Sequence, residues 1–304
     1  MCRFLLFKGH DPILLADLLT RPAHSIINQS FNCRLRIDAS QTVNGDGFGV
    51  GWYDIEPKQQ PCIFTSVLPA WNNLNLTRLA ERIRSPLVYA HVRASTGGTA
   101  SSETNCHPWS YGRLMWMHNG HIAQFPKFKR KLQASVRDEL YSFVQGNTDS
   151  EWAFALFLDQ LEDPLNGPFT PAILKAAMLR TIALLNQFAR EANVQEPSLL
   201  NFAVTDGETV VCTRYINDAT REAASLYFSS GSRFEAYSPG RYRMVKADKR
   251  EDMVVIASEP LTFEKTDWLT VPTNTLVVIT PKINVLLYPI DDEFFTTKPR
   301  KPWN

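Results

Sequence analysis

Segments that favour strands follow one another without intervening helices over the last third of the chain, and this order limits the fold more than any other feature. Residues 200–204, 209–215, 226–229, 253–257, 276–279 and 285–288 are short apolar runs. The first half adds residues 3–7, 48–53, 62–67, 87–92 and 114–117. Strands in runs, rather than in strict alternation with helices, favour antiparallel sheets covered by a few helices over a doubly wound parallel sheet. The expected class is α+β.

Helical segments are fewer. Residues 13–19 read as a short helix stopped by Arg21-Pro22, and residues 72–84 as a helix ended by Ser85-Pro86. Residues 125–136 form a basic amphipathic helix whose Lys127, Lys129, Arg130 and Lys131 make a solvated face. Residues 152–161 read as an apolar helix and 172–192 as a long amphipathic one. Residues 24–31 and 145–148 are polar and suit loops, and residues 161–171 are linker-like. Residues 44–53 carry turn glycines before a strand, but no helix start follows, so the dinucleotide-binding fingerprint fails. The expected organisation is one domain over 2–290 and a polar tail, 291–304, that frays.

Composition narrows the function. A formal net charge of +1 gives no bias toward nucleic acid or a membrane surface. No apolar run approaches the roughly 20 residues that span a bilayer. Five cysteines are scattered and form no CxxC pair, which argues against a disulfide scaffold or a cysteine zinc site and suits a reducing compartment. The expected location is cytoplasmic.

Cys2 follows the initiator methionine. If Met1 is trimmed, a thiol and a free α-amine share one carbon, and a terminal amine can activate the side chain of its own residue. Taken alone, Cys2 is better read as a small apolar residue opening the strand Phe4-Leu5-Leu6-Phe7, because buried structural cysteines outnumber catalytic ones. Three strand or helix ends carry further polar residues. Arg93 follows a buried strand, where its planar fork suits a carboxylate, although an arginine there also suits a structural ion pair. Asn119-Gly120 could turn a hairpin, or could aim a side-chain amide and a backbone N–H at one developing oxyanion. Thr148-Asp149 precedes an apolar helix, where one residue caps the helix and a carboxylate remains for a substrate ammonium. His107, His118 and His121 lack metal-ligand spacing on one element, so no metal is expected. Cys106-His107 is a weaker nucleophile–base candidate, because adjacent side chains seldom face each other. Carboxylate receptor, ammonium receptor, oxyanion donors and thiol together describe an α-amino acid head group with a carbonyl a few bonds away, as in glutamine and other γ-glutamyl compounds.

The ordered set Cys2, His91-Val92-Arg93-Ala94-Ser95-Thr96, His118-Asn119-Gly120 and Asp149-Ser150-Glu151 resembles the class II glutamine amidotransferases of the N-terminal-nucleophile hydrolase group. The resemblance implies a four-layer αββα sandwich of two antiparallel sheets. It implies Cys2 as nucleophile with its own α-amine as base, and Asn119 and Gly120 as the oxyanion hole. It implies Arg93 on the substrate carboxylate, Asp149 on its amino group, and Thr96 in support of Arg93 or the substrate, with no cofactor. Larger members carry Trp where this chain has Ala94, so contacts of that Trp do not transfer. Segments 21–25, 44–49, 105–108 and 258–261 resemble a small stand-alone subgroup. It includes the amidotransferase subunit of a fungal cytosolic glutathione-degradation complex and a γ-glutamyl hydrolase of ergothioneine biosynthesis. This implies a γ-glutamyl substrate, glutathione first, and a peptidase-like partner subunit. The alternatives are hydrolysis of another γ-glutamyl thiol, a glutaminase feeding ammonia to a separate synthase, a non-catalytic subunit that senses γ-glutamyl ligands, and a redox protein working through Cys2.

Overall fold

The first strand, β1 (Arg3–Leu14), sets the layering of the molecule. Successive side chains of a strand point to opposite faces. Leu5 and Phe7 therefore join one buried cluster, and Phe4 and Leu6 another. An unbroken apolar run is what a strand covered on both faces requires. The structure, a computed structural model, describes residues 2–32, 43–54, 59–94, 101–246 and 250–302.

The further strands are β2 (Phe48–Trp52), β3 (Cys62–Ser66), β4 (Arg84–Val92), β5 (Trp109–Tyr111), β6 (Leu114–His121), β7 (Leu199–Thr205) and β8 (Val210–Arg214). They continue as β9 (Tyr227–Gly231), β10 (Arg233–Ser238), β11 (Arg241–Val245), β12 (Met253–Ala257), β13 (Leu269–Thr270), β14 (Thr275–Ile279) and β15 (Val285–Pro289). The helices are α1 (Ala16–Leu19), α2 (Ile26–Gln29), α3 (Leu74–Ala80), α4 (Lys129–Ser135), α5 (Asp138–Phe143), α6 (Asp149–Asp159) and α7 (Pro171–Glu191).

A seven-stranded sheet runs β13-β9-β12-β1-β4-β2-β3, and a six-stranded sheet runs β15-β14-β8-β7-β6-β5. Their strand pairs are antiparallel. Three buried clusters define four layers. On the outer face of the first sheet, Leu5, Phe7, Val88 and Val255 pack against Leu18 of α1, Ile26 of α2 and Leu76 of α3. Between the sheets, Phe4, Leu6, Tyr89 and Ile256 meet Met115, Met117, Ala203 and Val277. Beyond the second sheet, Trp116, Phe202 and Val211 pack against Phe154 and Phe157 of α6 and Ile182 of α7. This is the expected αββα sandwich. Helix α7 is long and apolar enough by length and composition to cross a membrane, which the sequence reading did not anticipate; here its Leu174, Met178, Ile182 and Leu185 belong to the core.

Local expectations change where pairing captures a segment. Ile13 and Leu14 extend β1 instead of starting a helix, because they pair with Ser85 and Arg84 of β4. That pairing also ends α3 at Ala80 rather than Arg84. Residues 24–31 contain α2 rather than only loop, and the Ser25 side chain accepts the Asn28 N–H at its start. The basic helix of 125–136 is split into a 3-10 turn, Phe125–Lys127, and α4. Helix α5 and the β10–β11 hairpin had no counterpart in the sequence reading.

The polar tail does not fray over its described part. The Tyr215 hydroxyl donates to Asp292 Oδ2 at 2.6 Å, and Arg300 Nη2 donates to Phe294 O at 2.7 Å. Lys301 N donates to Thr220 O at 2.8 Å, and Lys301 O accepts Glu222 N at 2.7 Å.

Candidate active site

Cys2 stands immediately before β1, and strand pairing fixes its place: Arg3 pairs with Val92 and Phe4 with His91 of β4. The Cys2 thiol donates to Ala94 O at 3.4 Å and accepts the Ala94 N–H at 3.3 Å. Cys2 is 9% exposed. Burial pushes its thiol pKa above the ordinary value, the Ala94 N–H and the Arg93 guanidinium pull it down, and Asp149 pushes it up. Burial dominates, so the resting group is a thiol at neutral pH and a base must take its proton before it can attack.

Arg93 follows the last residue of β4 and is buried. The segment before β2 clamps it on three sides. Arg93 N donates to Gly47 O at 2.8 Å, Arg93 O accepts Asp46 N at 3.2 Å, and Arg93 Nη1 donates to Asp46 O at 3.2 Å. Gly47 has φ +110°, and a Cβ there would stand 2.8 Å from both Cys106 Sγ and Ser66 O. The turn that grips Arg93 therefore needs glycine. Thr96, also expected here, lies outside the described residues.

Asn119 and Gly120 are inside β6, not in a hairpin turn, and pair with Asn201 and Leu200 of β7. Both lie in the stretch where β6 approaches the first sheet. His91 of β4 spans the gap, with Nε2 donating to His118 O at 3.1 Å. His91 also stacks on His107, with ring centroids 3.9 Å apart. Burial pushes the His91 pKa down to about 3 and holds His107 well below its ordinary value. Both rings are neutral packing groups at the site, and neither is placed as a Cys106 base. A Cβ on Gly120 would strike Leu199 O, so glycine is required for β7 to lie alongside.

Asp149 opens α6. Thr148 is the cap, its Oγ1 accepting Glu151 N at 3.2 Å, which leaves the Asp149 carboxylate for other work. Asp149 Oδ2 accepts Ile122 N at 2.7 Å, just past β6, and Oδ1 accepts the Ser150 hydroxyl at 3.1 Å. Ser150 Oγ also lies 2.8 Å from His118 Nδ1, while His118 Nε2 donates to Leu199 O at 2.9 Å. Helix α6, β6 and β7 are thus tied together at the carboxylate.

The Cys2 thiol sits on the backbone of Ala94, the residue after Arg93, and the Arg93 and Asp149 charges act on it in opposite directions. Asn119 joins them through Ser258. The Ser258 hydroxyl oxygen accepts Phe4 N at 3.0 Å and Asn119 Nδ2 at 2.9 Å, so one oxygen touches the strand that follows Cys2 and the amide. Chemically, a thiol, a guanidinium, a carboxylate and an amide donor at one place can bind an amino acid head group and attack its distal carbonyl.

Sequence reasoning gave no role to the layer beneath. Arg3 is fully buried, and its Nε donates to Glu259 Oε1 at 2.8 Å. Its Nη1 donates to Asn44 Oδ1. His24 Nε2 lies 3.5 Å from Glu259 Oε2, and Gln29 Nε2 donates to His24 O at 2.9 Å. A signal was available: Arg3 is a charge at the head of an apolar strand, and its partners Asn44 and Glu259 fall in segments already singled out, 44–49 and 258–261.

The model of the family described as glutamine amidotransferases class-II matches residues 15–287. The match begins after Cys2, so it does not itself bear on the nucleophile. The chain is 54% identical over 312 residues to the "Probable glutamine amidotransferase DUG3" of Saccharomyces cerevisiae, covering 98% of this chain and 87% of that protein. It is 32% identical over 120 residues to a gamma-glutamyl-hercynylcysteine sulfoxide hydrolase of Mycolicibacterium smegmatis, covering 40% of this chain and 51% of that one. Among solved structures, a glutamine aminotransferase class-II domain protein from Silicibacter pomeroyi superposes with TM-score 0.62 at 24% identity, covering 96% of this chain and 100% of that chain. The allosteric regulatory enzyme of purine biosynthesis superposes with TM-score 0.59 at 16% identity, covering 95% of this chain and 49% of its own. These two likenesses concern the fold.

Proposed function

The chain belongs to the class II glutamine amidotransferases, and on that premise we propose that it cleaves the γ-glutamyl bond of glutathione with Cys2 as the nucleophile. The observation that carries the reading is a buried thiol at the head of a central strand, held on the Ala94 backbone directly after Arg93. Met1 is removed, and the freed α-amine of Cys2 takes the thiol proton, directly or through a water. The thiolate attacks the γ-carbonyl carbon, and the carbonyl oxygen gains the negative charge. Asn119 Nδ2 and the Gly120 N–H hold that oxyanion. The protonated amine gives its proton to the leaving nitrogen as the C–N bond breaks. Water then cleaves the glutamyl thioester, releasing glutamate and restoring the thiol. Arg93 pairs with the substrate α-carboxylate, and Asp149 with its ammonium.

Glutathione is favoured by the likeness of residues 2–31 to a glutathione-degradation subunit and by the high identity to the yeast relative. Its leaving group is a dipeptide, which calls for a peptidase-like partner subunit in the cytoplasm. The relative named as a sulfoxide hydrolase supports γ-glutamyl thiol derivatives as the wider substrate class. Residues 2–290 serve as the single catalytic domain, with 291–304 as its tail.

The test is release of glutamate from glutathione, glutamine and other γ-glutamyl amides by the isolated chain, with and without the partner. Cys2→Ala abolishes release from every substrate, and removal of either oxyanion donor lowers turnover by roughly 10²–10³. Mass spectrometry of the N-terminus finds Cys2 first. Retained activity in Cys2→Ala, or in a chain that keeps Met1, sinks the scheme.

A further inference from the structure

We propose that Ser258 is the positioning residue that orients the Asn119 amide as an oxyanion donor, and that it couples this donor to the nucleophile strand. The inference rests on the oxyanion role given to Asn119 above. Asn119 is buried in β6, and among the described residues its side chain makes one hydrogen bond, from Nδ2 to Ser258 Oγ at 2.9 Å. Its Oδ1 is buried and has no partner. An amide can rotate end for end with little change of shape, and only its hydrogen bonds decide which end faces which way. Among the described residues Ser258 Oγ is the group hydrogen-bonded to this amide, and it accepts the Nδ2 hydrogen beside the one it takes from Phe4 N. With one Nδ2 hydrogen held by Ser258, the second is left for the substrate.

Ser258 is well placed to do this rigidly. It follows β12, which lies beside β1 in the sheet. Its backbone N–H donates to Phe4 O at 3.0 Å, and its hydroxyl oxygen accepts Phe4 N at 3.0 Å. Both polar groups of Phe4 are thereby pinned two residues from the thiol. The next residue, Glu259, holds the Arg3 guanidinium at 2.8 Å. One short segment thus fixes the strand that presents the nucleophile and the amide that meets the oxyanion, so their separation is set by a shared oxygen rather than by two independent supports. A hydrogen bond of this kind acts in the transition state, where charge has developed on oxygen, and adds little to ground-state binding.

The experiment compares Ser258→Ala, Ser258→Thr, Asn119→Ala and the double variant Ser258→Ala/Asn119→Ala. Turnover and KM are measured on γ-glutamyl substrate, together with alkylation of Cys2 by iodoacetamide, a displacement at carbon that forms no oxyanion. We expect Ser258→Ala to lose roughly 10–100-fold in kcat with KM and the alkylation rate within about twofold of the parent. Ser258→Thr keeps the hydroxyl and regains most of the loss. The double variant is no slower than Asn119→Ala alone, because Ser258 acts through Asn119. Three results overturn the proposal: an unchanged kcat in Ser258→Ala, a parallel fall in alkylation that marks a displaced Cys2, or losses that multiply in the double variant. If Asn119→Ala itself retains full turnover, the oxyanion assignment fails instead, and the two failures are distinguished. Should Ser258→Ala not fold, the Ser258→Thr and Ser258→Cys pair, compared in the same assays, decides the matter by the donor–acceptor geometry each retains; equal turnover in the two overturns the proposal.

Discussion

The Arg3 side chain explains how a chain terminus can be held still. A strand end normally loses order because its backbone bonds are few. Here the residue after the nucleophile sends a charge inward, where Glu259 and Asn44 receive it. Both members of the ion pair are fully buried. Removing one partner from such a pair leaves an uncompensated charge, which costs about 3–5 kcal/mol. Arg3→Met is therefore expected to destabilise the fold by that order, measured as a shift of the urea midpoint. Adding Glu259→Gln in the same chain should recover part of the loss, because the orphaned charge is then gone. A single variant as stable as the parent would remove the ion pair from the account. The thiol tells a related story at the same scale. Its raised pKa is a cost of holding Cys2 out of water, which the Ala94 N–H and the Arg93 charge offset only in part.

At the scale of elements, the site is made where β6 and β7 run side by side with almost no side chain between them. Gly120 faces Leu200 across the ladder, and its missing Cβ is what lets Leu199 O approach. Gly120→Ala should cost about 1–3 kcal/mol through the forced displacement of β7. It should also cut turnover, since the Gly120 N–H moves with the strand. Urea unfolding and steady-state kinetics read the two effects separately; a variant with parent stability and parent turnover would show that the close approach is not needed. The same elements show what pattern alone can and cannot give. Alternation located β6 up to Met117, but the His118-Asn119-Gly120 extension looked like a turn, because an Asn-Gly pair usually makes one. The ladder with β7 overrode that local preference. Likewise, Ile13 and Leu14 have helical neighbours in sequence and strand neighbours in space, and the β4 pairing decided between them.

At the scale of the whole molecule, stability should depend on acid in a definite direction. His91 and His107 are buried, and burial holds their pKa values below the ordinary 6.5, with His91 down to about 3. In the unfolded chain these rings take up protons near their ordinary pKa, while in the folded chain they do not. The unfolded state therefore binds more protons below about pH 6.5, and stability present above that value is lost as the pH falls toward 3. Each ring that stays neutral contributes up to about 1.4 kcal/mol per pH unit over this window. Urea midpoints measured from neutral pH down to about 5 should fall steadily. A flat profile would mean that these rings gain protons inside the folded protein.

The sequence by itself determined the class of fold and singled out the candidate site residues. Runs of strands favour antiparallel sheets over a doubly wound one, and the unbroken apolar runs of Phe4 to Phe7 and of Leu114 to Met117 mark strands buried on both faces, because pleating sends successive side chains to opposite sides. Cys2, Arg93, Asn119, Gly120 and Asp149 were legible because each is a chemically unusual residue at the end of an apolar segment. Tertiary structure alone decided how they meet. That Asp149 receives Ile122 N, that Asp46 and Gly47 clamp Arg93, and that Ser258 touches both Phe4 and Asn119 all depend on contacts between segments up to 254 residues apart. No local pattern encodes such contacts, because burial in a shared core, rather than any preference of the residues themselves, brings the partners together.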